Sequence, residues 1–239
     1  MLNYEPMKQN VYDYSFEMRR ERKRKITFTL TLSLSVILGL TLFLNIFLFP
    51  VHVKSDSMES DIARNSAVFV TPLIKTPHRG DVIYLSREDN LKLSWYSVVV
   101  NKVVAFFTAQ QYEPIGYTKK MSGKNSVRRV LALPGDTVYM QDYVLYIKPK
   151  GESHFLTEFE MCSKPYNIHI YSVPVEWDGL GPSSNMEEIT LGKDEYFVLG
   201  DNRNNSEDSR YQSIGLINKK QIKGKVWFKL SFGDFGIVN

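Results

Sequence analysis

The chain of 239 residues is long enough for one globular domain beside a short N-terminal segment. Its composition, 43% hydrophobic and 23% charged, is that of a folded protein and excludes extended disorder outside the N-terminal tail. The net charge is +4, and residues 1–25 hold seven Lys/Arg against four Asp/Glu, which leaves only +1 for the rest of the chain. A nearly neutral body argues against a protein that binds nucleic acid.

Metal and nucleotide chemistry find little support in the sequence. The single cysteine, Cys162, excludes an internal disulfide and a multi-cysteine metal site. The sequence contains neither G-x-x-x-x-G-K nor G-x-G-x-x-G, so a nucleotide enzyme is disfavoured. The four histidines show no HExxH motif and no paired spacing: His52, His78, His154 and His169. We therefore predict no metal and no cofactor.

The N-terminal part predicts a membrane anchor. Residues 19–25 read RRERKRK, and residues 26–49 then pass without a charge. As a helix the uncharged run is about 36 Å long, enough to cross a hydrocarbon core of about 30 Å. We predict a basic cytoplasmic tail over 1–25, a transmembrane helix over 26–49 and an extracytoplasmic body over 51–239, because basic residues stay on the cytoplasmic side.

A strand and a cleavable signal peptide are the alternatives for this run. Residues 27–35 alternate as in a strand, but the apolar run continues far beyond the usual strand length. The run is also longer than the apolar core of a signal peptide, and no Ala-x-Ala follows it. An uncleaved signal anchor is the interpretation that fits both observations.

The body reads as mostly β. Short β-branched and aromatic runs alternate with Gly, Pro, Asn and Asp, and residues 140–143 predict a hairpin turn between two of them. Helical periodicity is weak except around residues 91–109, and residues 150–195 read as a loop-rich insertion. The predicted strands cover residues 66–70, 81–85, 137–140, 143–147, 196–199 and 225–230.

Four stretches in this order resemble the conserved boxes of type I signal peptidases, membrane-anchored serine proteases of the bacterial plasma membrane. The last stretch, Gly-Asp-Asn-Arg-Asn-Asn-Ser-Glu-Asp-Ser-Arg, is the longest and most specific match. The four stretches are residues 55–58, 79–83, 128–136 and 200–210. The resemblance implies a coiled antiparallel β-sheet catalytic domain behind the anchor.

The resemblance also implies a role for each matching residue. Ser57 stands at the position of the nucleophile, and its N–H together with the Ser55 hydroxyl would form the oxyanion hole. Ser206 matches a serine that orients the family's lysine base. The remaining matches are supporting residues: Asp208 and Arg210 as an ion pair, Arg129, and Met58 beneath the nucleophile loop. We expect Asp201 and Arg203 to fix a turn and not to touch substrate. Tyr211 and Ile214 could line the substrate groove or belong to the core, and we favour the core.

One departure from the family pattern affects the chemistry. The lysine base of the family would fall at position 128, and this chain has Arg128. A buried lysine can lose its proton near neutral pH and then accept the proton of serine. A guanidinium does not lose its proton in a protein, so Arg128 cannot be the base.

Three accounts of this departure stay open. Another group could act as base, a bulge could shift the register of the box, or the protein could bind precursors or a partner peptidase without cutting them. The gapless match over residues 130–136 speaks against the shift. The candidate substitute bases are Lys124, Lys119, Lys120, Lys102 and His78.

By resemblance, the substrates are secretory precursors with small residues at positions −1 and −3 before the cleaved bond. The expected partners are these precursors and the lipid bilayer, and a second peptidase subunit stays open. The expected location is the bacterial plasma membrane, with the peptidase domain at its outer face. A specialised enzyme that trims a pilus or conjugation subunit would share every box.

Overall fold

The computed structural model describes residues 11–86, 94–112, 114–115, 125–173, 182–231 and 234–238. The chain divides into two compact units, the first ending at Phe43 and the second beginning at Leu44. Lys119, Lys120 and Lys124, three of the candidate bases, lie outside the described residues.

Helix α1 covers Val11–Phe47 and contains the predicted membrane span. It begins within the basic tail and ends two residues before the predicted end of the span, because Phe49 already belongs to the first strand. The stretch Phe16–Phe47 is the one helix in the described part of the chain that is long and apolar enough to cross a membrane. Its threonines fit an apolar medium, since Thr27 and Thr29 donate to main-chain carbonyls four residues earlier at 2.9 Å.

The body contains two antiparallel sheets. In the first, the strands lie in the order β1-β2-β11-β3-β4-β9-β10, with β12 beside β11. Its strands are β1 (Phe49–His52), β2 (Ala67–Thr71), β3 (Val82–Leu85), β4 (Ser126–Ala132), β9 (Glu195–Leu199), β10 (Ile217–Asn218), β11 (Ile222–Ser231) and β12 (Asp234–Ile237). The second has the order β7-β6-β5-β8, with β5 (Thr137–Gln141), β6 (Val144–Lys148), β7 (Leu156–Thr157) and β8 (Met186–Thr190). The prediction of a mostly β body built on a coiled antiparallel sheet is confirmed.

All six predicted strands are present, and their ends differ from the prediction by at most one residue, except that β11 begins three residues earlier. The predicted hairpin joins β5 to β6, and its two turn residues, Asp142 and Tyr143, have positive φ angles of 49° and 65°. The predicted helical region contains α2 (Trp95–Phe107). Residues 150–195 supply β7, the short helix α3 (Glu158–Met161) and β8, so β7 and β8 extend the second sheet.

The sheet order brings distant parts of the sequence together. Strand β4 pairs with β3 on one side and with β9 on the other. The long box at residues 200–210 begins directly where β9 ends, and residues 53–66 form the loop between β1 and β2. The main-chain N–H of Asn202 donates to the Ser57 carbonyl at 3.1 Å, which joins this loop to the box.

Candidate active site

A cleft of about 820 Å³ opens between the loop after β1 and the ends of β3 and β4. Its wall includes residues from three of the four boxes found in the sequence: Ser55, Ser57, Arg128 and Ser206. The wall also contains larger side chains with apolar surface, such as Tyr84 and Ile217. A site of this kind suits an extended chain held next to a reactive polar group.

Ser57 lies at the bottom of this cleft and is only 2% exposed. Its hydroxyl oxygen is 2.9 Å from the Ser55 hydroxyl and 2.7 Å from Nη1 of Arg128. The residue after it, Met58, is fully buried in the core together with Ile62, and the Ile62 N–H donates to the Met58 carbonyl at 2.8 Å. This anchoring holds the loop while Ser55 stays exposed toward solvent.

Arg128 is 5% exposed and is held mainly by main-chain carbonyls. Its Nε and Nη2 donate to the Glu207 carbonyl at 3.0 and 2.7 Å, and Nη1 donates to the Val127 carbonyl at 2.6 Å as well as to Ser57. Burial lowers the pKa of the guanidinium, and the nearby Asp208 carboxylate opposes this shift. A guanidinium nevertheless keeps its proton in a protein, so the side chain is a fixed cation at the serine hydroxyl.

Ser206 lines the same cleft, and its buried hydroxyl has no hydrogen-bond partner within the described residues. Buried hydroxyls without a partner are rare, because leaving such a group unpaired costs about 1–3 kcal/mol. The guanidinium of Arg128 makes its bonds elsewhere, to Glu207, Val127 and Ser57. The Ser206 hydroxyl is therefore available to hydrogen-bond a ligand, or a different side chain at position 128.

Gly200 is required by the close approach of the last box to the loop at residues 53–66. A Cβ at this position would overlap both the Ser206 hydroxyl and the Ser57 carbonyl. Both groups lie within 2.4 Å of the place that a Cβ would occupy, which leaves no room for any side chain. The Gly200 N–H donates to Oδ2 of Asp208 at 3.1 Å and fixes the turn.

Gly200→Ala should destabilise the protein by about 1–3 kcal/mol, as overpacking usually does, and should disturb Ser57 in addition. The free energy of unfolding in a urea titration measures the first effect, and precursor cleavage measures the second. Gly192→Ala is the matched control, because the nearest atom to its new Cβ, at 2.8 Å, belongs to the end of the flexible Glu195 side chain. Equal effects of the two substitutions would contradict the close approach at Gly200.

Asp208 and Arg210 form a buried ion pair behind the cleft. Nε and Nη2 of Arg210 donate to the two carboxylate oxygens of Asp208 at 2.8 and 2.7 Å. Burial alone would raise the pKa of Asp208, but Arg210 and the Gly200 N–H outweigh it and hold the pKa below the ordinary value. The carboxylate therefore stays ionised and supports the turn that carries Ser206.

Arg129 points away from the cleft and joins two other segments. Its Nε and Nη2 donate to the Asp201 carboxylate at 2.9 and 2.7 Å, and Nη1 donates to the Gly80 carbonyl at 2.8 Å. Nη2 also donates to Oδ2 of Asp61, in the loop at residues 53–66, at 3.2 Å. Asp201 thereby links the last box to β4, a contact that was not part of the turn predicted from the sequence.

Three comparisons with known proteins bear on this site. The sequence model of the family described as "Signal peptidase, peptidase S26" matches residues 26–231. The chain belongs to this family.

Two curated relatives and one solved structure are among the proteins to which the chain is similar. Signal peptidase I of Bacillus amyloliquefaciens is 29% identical over 189 residues, 77% of each chain. Signal peptidase I P of Bacillus subtilis subsp. natto is 30% identical over 77% of this chain and 78% of its own. A signal peptidase I structure from Enterococcus faecalis V583 has 22% identity and a TM-score of 0.29, and covers 64% of this chain and 97% of that one. With its apolar N-terminal helix, this signal peptidase is membrane-anchored.

A second buried ion pair in this signal peptidase joins Arg203 of the last box to Glu158, which lies outside all four boxes. Arg203 donates from Nη2 to Glu158 at 2.6 Å, and both side chains are completely buried. Glu158 also accepts from the Tyr166 hydroxyl and from the Leu145 N–H. Burial acts to lower the pKa of Arg203, but the Glu158 carboxylate outweighs it and raises the pKa above the ordinary value.

Glu158→Gln should lower the free energy of unfolding by about 3–5 kcal/mol, because it leaves the Arg203 charge buried without its partner. Urea titration of the purified protein in detergent measures this loss. Glu188→Gln is the matched control, since Glu188 forms an exposed pair with Lys148 at 3.6 Å. That control should change stability by less than about 1 kcal/mol, as exposed pairs do. Similar losses in both variants would show that Glu158 does not compensate a buried charge.

The remaining sequence candidates lie away from the serine or differ from expectation. The side chain of His78 is 87% exposed beside Asp81, and Lys102 is exposed on α2; neither lines the cleft. Tyr211 was expected in the core but is half-buried and lines the cleft, whereas Ile214 packs on the core and borders the cleft as well. Two titratable residues of the cleft wall were not predicted from the sequence: His52 and Lys54, which lie within three residues before the first box.

Proposed function

We propose that this signal peptidase cuts signal peptides from secretory precursors with Ser57 as the nucleophile. The observation that carries the proposal is the buried Ser57 hydroxyl, which faces the cleft between the Ser55 hydroxyl at 2.9 Å and the Arg128 guanidinium at 2.7 Å. The charged Arg128 donor at this distance favours the ionised form of a hydroxyl, which is the form that attacks a carbonyl carbon.

Arg128 supports this reaction as a fixed charge and not as a base. When the Ser57 oxygen bonds to the carbonyl carbon, its proton passes through water in the cleft to the amide nitrogen. The bond between the carbonyl carbon and that nitrogen then breaks, and the mature chain leaves as an amine. The guanidinium stabilises the negative charge on Ser57 before attack, and the Ser57 N–H and Ser55 hydroxyl are placed for the charge that develops on the carbonyl oxygen. The two described side chains bonded to the Ser57 hydroxyl are the Ser55 hydroxyl and the Arg128 guanidinium, and neither is a base. The second half of the reaction, attack by water on the acylated serine, is therefore expected to be slow.

The position of Ser57 in the chain supports a substrate that emerges from a membrane. The eight residues from Phe49 to Ser57 span at most about 28 Å even when fully extended. The basic cluster at 19–25 favours a cytoplasmic N-terminus, which puts the cleft at the outer face of a bacterial plasma membrane. We infer that precursors with small residues at −1 and −3 bind there as an extended segment, because alternate side chains of such a segment enter neighbouring pockets.

The protein reconstituted in lipid nanodiscs, mixed with a secretory precursor that has alanine at −1 and −3, tests this function. We expect a product with the mass of the mature protein. A matched precursor with phenylalanine at −1 should remain intact, because a bulky residue does not enter a small pocket. Cleavage of both precursors at other bonds would contradict the proposed substrate class.

Arg128 also favours a second candidate, a family member that binds precursors or a second peptidase subunit without cutting. Its permanent charge removes the proton acceptor that the family's reaction needs at this position. This candidate predicts that the precursor co-purifies with the nanodiscs and stays uncut over hours. The presence of Ser57, a buried serine that lines the open cleft, favours a cutting enzyme over a protein that only binds precursors.

A further inference from the structure

Helix α2 has its polar side turned inward. The residues buried along it are small or polar and recur every four positions: Ser97, Asn101 and Ala105. Its large apolar side chains are exposed instead, with Trp95 at 79%, Tyr96 at 55% and Phe107 at 65%. A helix packed on a protein in water has the opposite arrangement, with its apolar stripe toward the core.

The inward side of α2 is attached to the body through the Asn101 side chain, so the helix is not free to rotate about its axis. The Asn101 side chain donates to the Ile115 carbonyl at 2.8 Å and accepts from the Ile115 N–H at 3.0 Å. Phe106 packs against the core cluster that contains Phe49. The orientation of α2 is therefore fixed by the body, and its aromatic ends stay on the surface of the described structure.

The end of α2 lies next to the strand that follows the membrane helix. The carbonyl of Ala109, two residues after α2, accepts from the His52 N–H of β1 at 2.9 Å. Strand β1 begins at Phe49, two residues after α1 ends. The five residues from Phe47 to His52 span at most about 18 Å, so the end of α2 is held close to the place where the chain leaves the membrane.

We propose that α2 lies in the headgroup layer of the membrane, with Trp95, Tyr96 and Phe107 inserted among the lipids. Tryptophan and tyrosine are enriched at this depth, because their rings are apolar and their polar atoms reach water. Lys102, exposed on the same helix, extends its charge toward the lipid phosphates. The partner of this apolar face is therefore the lipid surface. Together with α1, this contact of α2 would be a second attachment to the membrane and would keep the cleft close to emerging precursors.

Spin labels on the full chain in nanodiscs test the proposal without any need for turnover. Cys162 is the only cysteine, so a Cys162→Ser background carries one label at a time through Tyr96→Cys, Phe107→Cys or Glu187→Cys. Glu187 is the matched control, because it is exposed on β8 of the second sheet. We expect labels at 96 and 107 to collide several-fold more with dissolved oxygen than with a nickel chelate, and the label at 187 to show the reverse.

Three results would overturn the proposal. Labels at 96 and 107 that are as accessible to the nickel chelate as the control would place α2 in water. Line broadening at 96 that disappears on dilution with unlabelled chain would assign the face to a second copy. Shielding that develops only after a precursor is added would assign it to the precursor. None of these results depends on whether Ser57 is active, so failure here is distinguishable from failure of the proposed function.

Discussion

Ser57→Ala should reduce precursor cleavage by a factor on the order of 10³ or more, since removal of a nucleophilic serine leaves only binding and charge stabilisation. The structure makes this effect specific, because Ser57 is the serine whose hydroxyl contacts Arg128 at the bottom of the cleft. Initial rates of product formation by the nanodisc-reconstituted variant and the native protein, at equal protein concentration, measure the loss.

Ser60→Ala is the matched control for this substitution. Ser60 lies in the same loop, is exposed, and donates to the distant Asn167 carbonyl at 2.5 Å instead of facing the cleft. We expect its cleavage rate to stay close to that of the native protein. A Ser57→Ala variant that still cleaves at the native rate would remove Ser57 from the reaction and end the serine-peptidase account.

Arg128→Lys should raise the rate of precursor cleavage by about 10²-fold, the lower end of what a positioned general base contributes. A lysine at this place is shorter than arginine and releases the Glu207 carbonyl, so its amine is free to contact both Ser57 and the unpartnered Ser206 hydroxyl. The burial that lowers the pKa of the Arg128 guanidinium would lower the pKa of this lysine too. The rate measured against pH is the decisive observation.

The sign of the pH dependence follows from the chemistry of the amine. Only the unprotonated lysine accepts the serine proton, so the rate of the variant should rise with pH through the lowered lysine pKa and then level off. Arg128→Gln, which has neither charge nor base, is the control and should stay at or below the native rate. A lysine variant no faster than the glutamine variant at every pH would show that position 128 is not the place of the base.

The residues around the serine were predictable because they lie within contiguous boxes. Each box is short and lies at one place in the fold. The box with Ser57 follows β1, the box with Arg128 begins within β4, and the box with Ser206 follows β9. Pairing of β4 with β9 and the bond from Asn202 to the Ser57 carbonyl then bring them together. Motif order alone was sufficient for this part of the site.

The partners of the box residues were not predictable in the same way. Glu158, which neutralises Arg203, lies 45 residues before it in a segment that reads as loop-rich. Asp61, which reaches Arg129, looks like any polar loop residue. Charge pairs of this kind are set by tertiary packing, and a single sequence gives no spacing rule for them. The arginines themselves were the available signal, since a fully buried arginine needs a carboxylate nearby.

The sequence also could not predict which side of α2 faces the body, or that Tyr211 lines the cleft. The helix is apolar on most sides, so periodicity could locate it near residues 91–109 but could not tell which side faces the body. Asn101 decides the orientation through its bonds to Ile115, a contact made across a loop. Tyr211 follows the last box by one residue, and an aromatic residue there suits a core and a cleft wall equally well.

The central claim is that Ser57 becomes covalently bonded to the substrate, and mass spectrometry of the acid-quenched protein tests it most directly. Mixed with excess precursor and stopped within seconds, the chain should gain the mass of the signal peptide less one water. The adduct should map to the fragment that contains Ser57. It should accumulate, because Arg128 cannot activate the water that releases it. Formation of the mature product with an unmodified Ser57 fragment at every time point, in the native protein and in Arg128→Gln alike, would contradict the account.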